Sequence, residues 1–136
     1  MKRSSLAFVA AIALAAVAAA APPAADKSPE TVLVRYHVKP GDAEAFSKAL
    51  QSHFPACRRH GLVLNSPHMI LSGKEDGGKP FMVEILTWKD GDAPDSVPDH
   101  VPEVAAIWDQ LNSMTEARGG HPKIEIEPVD QVATKK

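Results

Sequence analysis

Apolar and polar residues alternate along TVLVRYHV, where Val32, Val34, Tyr36 and Val38 interleave with Leu33, Arg35 and His37. A period of two sends successive side chains to opposite faces of an extended chain, so this run predicts a strand. In KPGDAEAF the rhythm changes: Pro40 and Gly41 turn the chain, and Asp42 stands where a carboxylate caps a helix and meets its dipole. Phe46, Leu50 and Phe54, spaced by four, give that helix a buried stripe. Pro55 is expected to kink it or to begin a second short helix, and Gly61 to end it in a left-handed cap. HMILSGKEDGG and PFMVEILTW predict a hairpin about the turn KEDGGK, with Phe81, Val83, Ile85 and Thr87 alternating with Met82, Glu84, Leu86 and Trp88. GDAPDSVPDHV then reads as an acidic, proline-rich loop. It leads into a helix whose stripe is Val104, Ile107, Trp108, Leu111 and Met114, with Asp99 as its cap and Pro102 in its first turn. KIEIEPV predicts a short last strand.

The order β-α-β-β-α-β predicts a ferredoxin-like α+β domain, an antiparallel four-stranded sheet with two helices on one face. Two helices leave the other face of the sheet bare. Strand parity is expected to place Met82, Leu86 and Trp88 there with Leu33, and an apolar face of this kind predicts a homodimer closing sheet against sheet. The domain is expected to run over residues 31–129, after a spacer at 26–30, with a disordered tail at 130–136.

The N-terminus changes the expected address. MKRSS is a positive leader and LAFVAAIALAAVAAA is apolar but short for a bilayer span, which together read as a signal peptide over residues 1–25. Cleavage fits after Ala20 or Ala25, because Pro22 disfavours the bond after Ala21. An uncleaved N-terminal anchor is the alternative. The expected product is exported, periplasmic or secreted, with no membrane attachment after cleavage. Its single cysteine, Cys57, excludes an intramolecular disulfide. The formal net charge is -2, and without a basic run or basic-aromatic interleaving nucleic acid is not an expected partner. A small apolar or aromatic ligand and a second copy of the chain are.

The chain resembles the antibiotic biosynthesis monooxygenase-like family of the dimeric α+β barrel superfamily. The residues that carry the resemblance are VKPGDAEAFSKAL after the first strand, FPACRRHG with Pro55 and Arg58, VEILTWKD as third strand and the terminal KIEIEPV. It implies a dimeric barrel with a ligand cavity. Among the activities it implies are cofactor-independent oxygenation of polycyclic phenols or quinols and haem degradation. In the haem-degrading branch the site is formed by an Asn on the first strand, a Trp ending the third and a His on the following helix. Trp88 and His100 stand at the last two positions, whereas the first strand offers Val34 and Arg35.

Strand parity groups Arg35 and His37 with Glu84 and Trp88 on the cavity wall. His37 is then expected to take a proton from an acidic phenol or quinol, Arg35 to hold the oxyanion, and Trp88 to stack on the ring. Tyr36, Glu84 and His100 complete the expected ligand contacts, with no cofactor and no metal. The plainer reading makes Arg35 and Glu84 a cross-strand ion pair. His53, Cys57 and His60 share a helical face at metal-ligand spacing, but Pro55 interrupts that turn, which favours a half-buried Cys57 between solvated histidines. His68 and His121 read as turn residues. Asp90, Asp92, Asp95 and Asp99 lack the ligand order of a calcium loop. Neither a Gly-x-Ser-x-Gly elbow nor a phosphate-binding glycine loop is present.

Overall fold

The computed structural model describes residues 27–135. The expected signal peptide and its cleavage sites lie outside the described residues. Four strands form one antiparallel sheet in the order β2-β3-β1-β4, built from β1 (Glu30–His37), β2 (Met69–Lys74), β3 (Pro80–Trp88) and β4 (Ile124–Pro128). With α1 (Ala43–Arg59) and α3 (Pro102–Ser113) this is the ferredoxin-like arrangement. Residues 130–135 carry no helix or strand. Among the described residues no helix is long and apolar enough to cross a membrane.

A further helix, α2 (Ala93–His100), occupies the stretch expected to be a loop. Its two prolines hid it, yet Pro94 falls in the first turn, where a missing amide costs nothing. The Asp90 carboxylate accepts the amides of Asp92 at 3.0 Å and Ala93 at 2.9 Å, satisfying donors that the helix start leaves open. Asp99 therefore lies inside α2 and does not cap α3, which begins at Pro102 without a side-chain cap.

Pro55 neither breaks α1 nor starts a new helix. Beyond it, Gly61 takes φ of 66° and its amide bonds the Arg58 carbonyl at 3.0 Å, closing the helix in a left-handed turn. Phe46, Leu50, Leu86, Val104 and Leu111 are almost wholly buried between helices and sheet. Burial on this scale is worth about 1.5–3 kcal/mol for each large side chain.

Register decides what each face carries. Val32 faces Leu86, Val34 faces Glu84, and Tyr36 faces Met82, whereas Leu33 faces Ile85 and Arg35 faces Val83. Directly opposed residues share a face, so Met82, Glu84, Leu86 and Trp88 lie under the helices with Val32, Val34 and Tyr36. The open face carries Leu33, Arg35 and His37 with Phe81, Val83 and Ile85, and also Met69 and Leu71 of β2. The sequence reading joined the two strands one residue out of step. The open face is apolar nonetheless, through Leu33, Ile85, Met69 and Leu71 in place of Met82, Leu86 and Trp88.

Candidate functional site

A cavity of about 530 Å³ lies between the β1–β4 half of the sheet and the helices α2 and α3. Val32, Val34, Leu86, Leu111 and Ile124 supply apolar wall, and Tyr36, Trp88 and Trp108 supply aromatic wall. The two indoles meet edge to face, with centroids 6.3 Å apart and planes at 85°.

One polar side chain reaches this wall from the core. His53 continues the buried stripe of α1, one turn after Leu50 and one before Cys57, and is 2% exposed. Its Nδ1 lies 2.7 Å from Oε1 of Glu84, a carboxylate with no exposed surface, and its Nε2 accepts the Trp108 indole N–H at 2.9 Å. His68 meets the second oxygen of Glu84 at 3.2 Å and stacks on Phe54 at 3.8 Å. The Cys57 sulfur sits 3.4 Å from Nε2 of His53. Every buried side-chain nitrogen and oxygen among the described residues has a partner, as a low-dielectric interior demands.

Since an indole N–H only donates, the ring of His53 in this arrangement is the neutral form with its proton on Nδ1, directed at Glu84. Burial pushes its basicity down, but the Cys57 and Glu84 contacts outweigh burial and raise it to about 10. The influences conflict at one atom. Nε2 either keeps its lone pair and holds Trp108, or takes a proton and releases it. Tyr36 is pushed well above its usual range, first by burial and then by the Glu84 charge.

Of the residues expected to form the site, Tyr36, Trp88 and Glu84 lie on the helix side, and the first two line the cavity. Arg35 and His37 do not join them, because the register turns them to the open face. There the His37 ring stands between Glu75 at 2.7 Å and Glu125 at 2.8 Å, Arg35 lies 4.0 Å over the Phe81 ring, and Arg118 bonds the Pro80 carbonyl at 2.8 Å. The expected cross-strand pair is therefore absent: Arg35 pairs with Glu75 at 3.6 Å, and Glu84 with histidines. His100, at the end of α2, is exposed and is not part of the cavity lining. His60 is also exposed, bonded to Glu103 at 2.7 Å, so the His53, Cys57 and His60 spacing does not converge, and Cys57 is fully buried, not half-buried. Among the described residues no group of three or more His, Cys, Asp or Glu is placed to hold a metal ion.

The sequence reading missed His53, His68 and Trp108 as neighbours of one carboxylate and one cavity. A signal existed in the apolar spacing: extending Phe46 and Leu50 by three and then four puts His53 and Cys57 on the buried face. Glu84, alone in the apolar run of β3, also required buried partners.

No protein-family model and no curated protein sequence matches the chain. Solved structures do. SnoaB, a cofactor-independent oxygenase from Streptomyces nogalater, superposes with a TM-score of 0.56 at 18% identity over 79% of this chain and 99% of its own. A structure described as antibiotic biosynthesis monooxygenase gives 0.55 at 16% identity over 76% of this chain and 98% of its own. PA3566 from Pseudomonas aeruginosa gives 0.55 at 18% identity over 78% and 96%. At these identities the likeness is one of architecture: the chain has the α+β fold of the antibiotic biosynthesis monooxygenase-like proteins.

Proposed function

We propose that this is an exported, homodimeric protein that binds a small aromatic ligand in the helix-side cavity and oxygenates it without a bound cofactor. The observation that carries the reading is His53, a basic imidazole on the wall of an otherwise aromatic and aliphatic cavity, backed by the buried carboxylate of Glu84. A ligand hydroxyl that took the place of Trp108 at Nε2 would meet a base whose proton affinity the Cys57 and Glu84 contacts have raised. A phenol, with an ordinary pKa of about 10, is matched to that base. Proton transfer leaves an electron-rich phenolate beside an imidazolium, and Glu84 stabilises the latter. Such an anion reduces oxygen itself: oxidation of a ring methylene to a carbonyl supplies four electrons, one oxygen atom enters the product and the other leaves as water. SnoaB, a cofactor-independent oxygenase of the same architecture, is consistent with this chemistry.

The homodimer rests on the open sheet face with its apolar residues, and export rests on the N-terminal pattern. A second reading, a non-catalytic ligand-binding dimer, is favoured by the satisfaction of every buried side-chain polar atom among the described residues. Oxygen consumption with a panel of hydroquinones and polycyclic phenols separates the two. The oxygenase predicts uptake that His53→Ala abolishes and His37→Ala leaves unchanged. Ligand binding with no uptake favours the second reading, and equal uptake in His53→Ala removes the imidazole from the mechanism.

A further inference from the structure

We propose that the ligand of this cavity is an aromatic compound carrying a positive charge, such as an aryl amine or a quaternary ammonium arene. The inference rests on the reading of the cavity as a ligand site and adds the charge of the ligand. Two observations carry it together. Two indoles line the cavity and pack edge to face against each other, so the electron-rich indole face not covered by that contact is available to a cation. Indole faces are the strongest aromatic partners for ammonium groups. Independently, apart from His53, which is held by Glu84, the ionisable residues that line the cavity are acidic: Glu30 on β1, Asp95 on α2 and Asp109 on α3. Among the described residues none of the three is paired with a lysine or arginine, and Lys27, on the segment leading into β1, is taken by Asp92. Asp95 and Asp109 are exposed, which places the negative potential at the mouth and the indoles within.

This arrangement opposes a carboxylated or sulfonated aromatic, which would pass three carboxylates and find in the lining only the His53 imidazole, already paired with the Glu84 carboxylate. It also bears on the chemistry proposed above. A phenolate formed here has only the His53 imidazolium to balance it, and a positive charge on the ligand supplies the rest. The expected binding mode puts the cationic group between the tryptophans and the acidic mouth, with the hydroxyl directed at His53.

The chain reports its own occupancy, because its only two tryptophans are Trp88 and Trp108 and both line the cavity. Three probes of matched shape decide the question by quenching of that emission: phenyltrimethylammonium, its neutral isostere tert-butylbenzene, and benzoate. The full chain is expected to bind the cation about tenfold more tightly than the neutral isostere, with benzoate weakest. Added salt should weaken only the cation. In the double variant Asp95→Asn, Asp109→Asn, which alters exposed helix positions, the preference is expected to fall several-fold. Equal binding of cation and isostere, tightest binding of benzoate, or an unchanged preference in the double variant would each overturn the proposal while leaving a ligand cavity in place. No response to any of the three would overturn the ligand-site reading itself.

Discussion

Glu84 of β3 and His53 of α1 meet at 2.7 Å, both within the core and 31 residues apart in the chain. This contact ties the central helix to the central strands through a polar pair where apolar packing would be expected. It also holds the imidazole in one orientation, with Nε2 turned to the cavity side and Trp108.

Replacing Glu84 with leucine keeps much of the volume but leaves His53 and His68 without their acceptor. The expected cost is about 1–3 kcal/mol for the orphaned buried His53, and less for the half-buried His68, which water can reach. Chemical denaturation measures it, and a change below about 0.5 kcal/mol would show that the pair contributes little to folding.

The same pair sets a pH dependence. In the folded chain His53 is raised from 6.5 to about 10. A group raised in this sense binds its proton more tightly when folded, so its stabilisation is full below pH 6.5 and is lost as pH rises toward about 10. Denaturation midpoints between pH 6 and 10 should therefore fall in the parent chain and stay flatter in His53→Gln. Because the indole competes with the proton for Nε2, Trp108→Phe is expected to move the transition to higher pH.

On the open face, Ile85 stands opposite Leu33 on one side and Met69 on the other. Ile85→Lys places a charge in the middle of that patch. Light scattering is expected to give twice the chain mass for the parent protein and the single mass for the variant, with the cavity still binding its ligand. A parent protein already of single mass would remove the dimer.

Gly73 of β2 lies against Phe81. A methyl group added at Gly73 would stand 2.6 Å from the ring that carries the Arg35 guanidinium. Gly73→Ala should displace Phe81 and destabilise the chain by about 1–3 kcal/mol. Gly73→Ala combined with Phe81→Leu should recover part of the loss, and thermal melts of the two variants show whether it does.

His100 lies outside the cavity lining and is exposed. Haemin added to the chain is expected to produce no Soret shift, and His100→Ala to leave ligand binding unchanged. A Soret shift that His100→Ala abolished would restore the haem reading.

Architecture was legible because it rests on periodicity, which the backbone imposes directly. TVLVRYHV and PFMVEILTW alternate as strands must, and KPG and RHG sit where elements end, whereas α3 stops at Ser113, before RGG. The site was less legible because its geometry depends on register, which no single strand contains. Arg35 and His37 looked like neighbours of Glu84 and Trp88 until pairing Val34 with Glu84 sent the two sets to opposite faces. His53 was obscured for another reason: its polarity argued for solvent, and only its buried acceptor, supplied by a distant strand, reverses that inference. Helix α2 was missed because proline content outweighed its position in the first turn.

Tyr36 lies between Arg35 and His37 in the chain, and its side chain lines the cavity while theirs emerge on the opposite surface. One strand is thus floor to the cavity and part of the open sheet face. A substitution that tilts β1 is therefore expected to alter the cavity wall and the open face together.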